Sequence, residues 1–316
     1  MTHILEKFLY AYWLRPESAI WRTLDVLSMR NFTFVSPSLD LGCGDGTFSF
    51  LRAGGEYTDD FDVFLDVDHL DRFYEHVDIY DSCKNVEEDI SWVKKPAYDC
   101  IDVGLDHKKN LMCKAGRLGL YRQFVQADAN ASLPFEDESF QTVFSNMIYW
   151  LNDAGKAFAE IFRILRKQGK CCVMLPGPAY IESSFYYTYY FSKGKPKEYQ
   201  FLELIDRGRM SDGLVKQIGT YQEWKELIQH AGLEIIECVP HLSRTIIKMW
   251  DIGLRPIFPM LKKMTMQLDP GTLLDIKREW VDFFLKTGEA VIRNEQLITK
   301  EQDFCFYCFI LQKQTR

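Results

Sequence analysis

Apolar positions along this chain alternate between two periods, and the alternation itself predicts an architecture. Residues 34–41 (Phe-Val-Ser-Pro-Ser-Leu-Asp-Leu) read as a short strand. It runs straight into Gly42-Cys43-Gly44-Asp45-Gly46-Thr47, after which Phe50 and Leu51 begin a helical pattern. A second strand is expected over 100–106. A helix follows over 109–120, with Leu111, Met112, Ala115 and Leu118 on one face. Strands are expected at 124–126 and, after the turn 134–139, at 140–146. Phe158, Ile161, Phe162 and Leu165 make 154–165 an amphipathic helix, with Gly169 placed as its left-handed terminator. Strand 170–175, helix 221–231 with a glycine stop at Gly232, strand 233–239 and an aromatic strand 304–311 complete the series.

Strands that alternate with helices pair in parallel through right-handed crossovers, which predicts a doubly wound α/β sheet. Ligands bind such sheets at the carboxyl ends of the strands. Three stretches fall outside the alternation: 54–98, the aromatic and lysine-rich 179–219, and 243–299. Inserts on the ligand-bearing edge build lids and pockets. The expected organisation is therefore a helical cover over 1–33 and an α/β core over 34–178 with the insert 54–98. A lid insert follows at 179–219. The end of the sheet lies in 220–316, with the helical insert 243–299.

Composition narrows the partners. The 316 residues carry 38 Lys+Arg against 45 Asp+Glu, a formal charge of -7, which disfavours a nucleic acid bound through its phosphates. No apolar run is long enough for an integral membrane segment, and the first residues lack a signal-peptide pattern, so a cytoplasmic protein is expected. Nine cysteines at irregular spacing do not describe a disulfide framework, and six histidines form no ligand motif; no metal is expected. Cys305 and Cys308 lie three apart in a strand, so their sulfurs should diverge.

The chemistry concentrates at Asp40-x-Gly42-x-Gly44-x-Gly46. Glycines at a strand-to-helix turn let the backbone bend and approach a ligand. A dinucleotide fingerprint needs a third glycine where Thr47 stands. The spacing instead resembles the first motif of class I S-adenosylmethionine (SAM) dependent methyltransferases of the type 11 kind. Asp106, Ala127-Asp128-Ala129, the run 133–141, Ser145-Asn146 and the run 160–170 follow in that family's order. The resemblance implies a seven-stranded, mostly parallel sheet with its last strand antiparallel and helical inserts forming a lid. It implies SAM as cofactor, held by Asp40, Gly42, Cys43, Gly44, Gly46, Asp106, His107, Asp128, Ala129 and Asn146. Within that set, Asp40 would orient the methionine amino group, Asp106 the ribose hydroxyls and Asp128 the adenine amino group. The ribose acid ordinarily lies about 20 residues beyond the glycines, nearer to Asp66 and Asp68. Asp106 is preferred because it stands one helix before Asp128.

Methyl transfer to a small-molecule acceptor, at a hydroxyl or carbon of a metabolite, sugar or lipid-like precursor, is the activity this implies. An NAD(P)-dependent oxidoreductase and a non-catalytic SAM-binding scaffold are the alternatives. In-line displacement from a sulfonium needs alignment and exclusion of water more than a nucleophile or metal. For a hydroxyl acceptor a general base helps, and His241, His107 and His76 are the candidates. Bland readings stand beside each assignment: Asp40 and Asp128 as caps, Asn146 as a turn former, and Tyr149-Trp150 and the aromatics at 185–191 as packing. Tyr10, Tyr12 and Trp13 either cover the cofactor or pack on the sheet. The Met- and Trp-rich 246–264 is read as an adaptable lid or as a lipid-contacting surface.

Overall fold

The computed structural model describes residues 1–65, 67, 70, 92–207, 209–211, 213–298, 300 and 303–314. Two helices lead, α1 (Thr2–Ala11) and α2 (Pro16–Ser28), the latter with proline at its first turn, where the missing N–H costs nothing. The sheet is then built from β1 (Ser38–Leu41), β2 (Ile101–Asp106), β3 (Tyr121–Gln126), β4 (Phe140–Ser145), β5 (Leu165–Pro176), β6 (Leu233–Ser243) and β7 (Phe304–Lys313). Their order in the sheet is β3-β2-β1-β4-β5-β7-β6. The first five pair in parallel, while β7 runs antiparallel to both β5 and β6. This is the seven-stranded sheet the resemblance implies. β1 is buried at every position, as a strand covered on both faces must be, whereas edge strand β3 is largely exposed.

Connecting helices are α3 (Thr47–Arg52), α4 (Lys109–Gly116), α5 (Ala154–Ile164) and α6 (Pro178–Ser183), then α7 (Phe201–Ile205) and α8 (Tyr221–His230). α8 opens on a capping box between Thr220 and Glu223 and stops before Gly232, whose φ is +88°. One face of the sheet packs on α5 and α8 through Phe158, Ile161, Trp224 and Ile228. On the other face Met29 and Phe32, just beyond α2, meet Phe144, Cys172, Met174, Cys308 and Ile310.

Gly169 is not a left-handed terminator. α5 ends at Ile164, and the positive φ (+62°) belongs to Gln168. Gly169 matters for proximity instead: a Cβ there would lie 2.8 Å from the Arg166 carbonyl oxygen and 3.1 Å from that of Gln141. The divergence of Cys305 and Cys308 is found, with the Cys305 sulfur 3.6 Å from Ser183 Oγ and the Cys308 sulfur 3.6 Å from that of Cys172.

The three inserts and the N-terminal helices share one apolar core. After β6 the chain forms α9 (Arg244–Ile252), α10 (Phe258–Thr265) and the long α11 (Pro270–Glu295). Tyr12 and Phe258 both pack on Phe64, at 5.9 and 4.6 Å between ring centres, and Trp13 packs edge-on to Trp280. Trp21 meets Trp250, Tyr180 and Phe306. Several charged groups buried in this cap are paired: Lys262 Nζ donates to Asp62 at 2.7 Å. Arg209, enclosed between Tyr180 and Trp250, donates to Asp251 and to the Tyr180 hydroxyl. Arg255 lies over the same Trp250 ring, and its backbone N–H donates to Glu17. Among the described residues no helix is long and apolar enough to cross a membrane.

Candidate active site

At the carboxyl end of β1 the chain turns through Gly42, Gly44 and Gly46, with φ of +83°, +55° and +76°. The backbone N–H groups of Gly42 and Cys43 both donate to the Leu105 carbonyl, which ties the turn to β2. Three glycines serve three different needs. A Cβ on Gly42 would sit 2.3 Å from Met147 Cγ. One on Gly46 would crowd Leu118, Tyr121 and Ala115. One on Gly44 would meet nothing within 4 Å. Gly44 therefore presents bare backbone to open space, the condition for a ligand to approach it.

Asp106, at the tip of β2, stands beside that opening. Its carboxylate accepts from the Gly44 N–H at 3.0 Å and the Lys108 N–H at 2.8 Å, and His107 Nδ1 lies 3.4 Å from it. Each carboxylate oxygen keeps a further lone pair, enough to receive a diol. Asp128, beyond the tip of β3, is exposed. Two hydrogen bonds from Asn130, at 2.9 Å each, hold its carboxyl below the usual range, so it stays an acceptor. Asn146 follows β4, half-buried, and Met147 next to it packs on Gly42. Ala129 is half-buried against the α5 side of the core. Thus Gly44, Asp106, His107, Asp128 and Asn146 border one edge of the sheet.

Asp40 and Cys43 are placed differently. Asp40 is buried beneath the turn, where its Oδ2 accepts from Ser49 Oγ at 2.6 Å and the Tyr121 hydroxyl at 2.7 Å. Burial pushes its carboxyl up to about 6, against the pull of those two hydrogen bonds. The Cys43 thiol is pushed up by burial and then by Asp40, Asp106 and Asp45, which makes it an inert neighbour of Gly104. Ser49 and Tyr121 carry no signal in the sequence, because their roles arise only from the crossing of β3 and α3 beneath the turn.

From β4 an aromatic chain leads under the cap. Tyr149 packs on Phe306 at 5.7 Å, and Phe306 contacts Trp21, Tyr180 and, at 6.1 Å, His241. Burial, then the adjacent Tyr180, push the Tyr149 phenol up, so it remains protonated and can donate. His241 is buried near the end of β6. Its Nε2 lies 3.1 Å from Asp25 Oδ1, and Asp25 Oδ2 accepts from Arg22 at 3.0 Å. Among the described residues its Nδ1 is enclosed without a partner. Asp25 on α2 was invisible as a partner in the sequence, 216 positions away. His107 is exposed beside Asp106. His76, Asp66 and Asp68 lie outside the described residues.

Comparison with known proteins adds a family. The family described as a methyltransferase domain matches residues 91–173, the stretch holding β2 to the middle of β5. Among curated proteins none matches. Similar solved structures include the cyclase SpnF (14% identity over 97% of this chain and 84% of that one, TM-score 0.46). A SAM-dependent methyltransferase from Thermotoga maritima is 18% identical over 75% of this chain and 81% of its own, with a TM-score of 0.41. A phosphoethanolamine N-methyltransferase from Haemonchus contortus, solved with phosphomonomethylethanolamine and S-adenosylhomocysteine, is 15% identical (TM-score 0.47), covering 99% of this chain and 61% of that one. Residues 91–173 are thus similar to a methyltransferase domain, and they supply four of the five parallel strands of the seven-stranded sheet.

Proposed function

We propose that the chain methylates a hydroxyl of a small-molecule acceptor bound between the tip of β4 and the cap. The observation that carries this reading is the opening at Gly44 with Asp106 fixed at its rim, which fits a nucleoside joined to an amino acid. When bound, SAM supplies a methyl group on a sulfonium leaving group. The Gly44 backbone would lie along the cofactor, Asp106 would accept from its ribose hydroxyls, and Asp128 from its adenine amino group. Trp21, Tyr180 and Phe306, all buried, would shield the neighbourhood of Tyr149 from water. His241 is assigned the acceptor's proton. Asp25, as a carboxylate, only accepts, so it fixes the proton of His241 on Nε2 and leaves the lone pair on Nδ1.

Calorimetric titration with SAM tests the cofactor site: Asp106→Ala should weaken binding by at least tenfold, about 1.4 kcal/mol. Full affinity in that variant removes the ribose assignment. A tritiated-methyl screen across hydroxyl, amine and carbon acceptors tests the rest. His241→Gln should lose hydroxyl methylation by about a hundredfold, in the range of general-base contributions, while keeping its affinity for SAM. Transfer confined to amines or carbon would overturn the oxygen assignment.

A further inference from the structure

The outer face of the cap goes beyond the methyl-transfer reading. Twenty large apolar side chains are exposed among the described residues, and ten of them fall in two short stretches, 189–204 and 252–266. The first holds Tyr189, Phe191 (52% exposed), Tyr199, Phe201 (58%) and Leu204; the second holds Ile252, Ile257, Met260 (58%), Met264 (67%) and Met266. The two stretches adjoin. Arg255 Nη2 donates to the Ile205 carbonyl at 2.7 Å, which sets Leu204 beside the segment between Ile252 and Ile257. The Phe185 N–H donates to Asp251 at 2.9 Å, at the edge of the same seam. Scattered exposed apolar residues are ordinary on a soluble protein, but a concentration of this size marks a contact surface.

Charge decides the partner. Across the whole chain acids outnumber bases, for a net -7. Around this patch the balance inverts: Lys193, Lys195, Lys197, Arg207 and Lys263 face solvent, against Glu198 and the half-buried Glu203. Lys193 lies 4.9 Å from the Tyr189 ring centre and Lys195 5.9 Å from that of Phe191. Aromatic rings carrying lysines on flexible stems suit an interface in which the rings enter the acyl boundary and the ammonium groups stay at anionic headgroups. We infer that the outer face of the cap, formed by residues 189–207 and 252–266, docks on an anionic lipid bilayer surface. The acidic remainder of the molecule would be repelled from that surface, which orients the protein with its cap toward the lipid.

Sedimentation of the full chain with lipid vesicles tests this. Vesicles of phosphatidylcholine containing about one third phosphatidylserine should carry the protein down, and pure phosphatidylcholine vesicles should not. Lys193→Glu/Lys195→Glu/Lys197→Glu should lower partitioning roughly a hundredfold, and added salt should do the same. Phe191→Ser/Phe201→Ser should lower it roughly tenfold or more. Circular dichroism and an unchanged unfolding midpoint establish that both variants are folded. Equal partitioning into the two vesicle types, none into either, or partitioning indifferent to these substitutions overturns the inference. So does loss of self-association in the same variants without any effect on vesicles, which would assign the patch to a second copy of this chain.

Discussion

Asp40 and Asp251 are both buried carboxylates, yet they are held by opposite means. Asp40, under the glycine turn, is met by two neutral hydroxyls, from Ser49 and Tyr121, and burial raises its affinity for a proton. Asp251, in the cap, faces the guanidinium groups of Arg209 and Arg255 and the Phe185 N–H. Around it Arg209 is held above its ordinary value by Asp251, Tyr180 and Asp206 despite burial, whereas burial lowers Arg255 to about 10. The sheet side of the site thus tolerates a neutral acid. The cap depends on charges that each need the others, because an uncompensated buried ion costs several kcal/mol.

Four substitutions test that contrast, beginning with the largest effect. Asp251→Ala should destabilise the protein by about 3–5 kcal/mol, since it leaves Arg209 and Arg255 facing each other without their shared carboxylate. Urea unfolding followed by tryptophan emission measures it, and a cost below about 1 kcal/mol would mean the cap is held by apolar packing alone.

Asp40 gives the next largest effect, and it depends on pH. In the folded chain its carboxyl keeps its proton up to about 6, against an ordinary 3.8. The folded state therefore binds the extra proton between those values. The stabilisation this gives is fully present below about pH 4 and is lost as pH rises through about 6. A shift of that size is worth about 2–3 kcal/mol. Asp40→Asn, which still accepts from Ser49 and Tyr121, should flatten the decline seen in denaturation midpoints between pH 4 and 7. An unchanged slope would show that Asp40 is ionised in the fold.

The smallest effect separates two glycines of one turn. Gly42→Ala should cost about 1–3 kcal/mol of stability through its strained φ and Met147. Gly44→Ala should cost about 1 kcal/mol and should show its main effect as weaker SAM binding in calorimetry. Reversal of that order would put the open side of the turn elsewhere.

What was legible in the sequence follows from range. The glycine turn, Asp106 and Asp128 sit at ends of strands whose apolar periods are local, so order and spacing place them. Residues 168 and 169 show the limit of that logic: the pattern puts the left-handed residue at the glycine, but the backbone needs room at Gly169 and turns at Gln168. Ser49 and Tyr121 around Asp40, Asp25 against His241, and the Arg209–Asp251–Arg255 network join residues far apart in the chain. No local pattern encodes such pairs. They exist because the inserts fold against one another and against α1 and α2.

Gly288 sits where α11 crosses those leading helices, its absent side chain leaving room for Leu5 and Ile20. α1 and α2 pack on each other, but Leu5 and Ile20 complete their burial only against α11, more than 260 residues further on. During synthesis part of the apolar face of these helices stays bare until α11 has been made. Contacts of such sequence separation are the costliest to close, so the docking of α11 on the leading helices is expected among the later steps of folding.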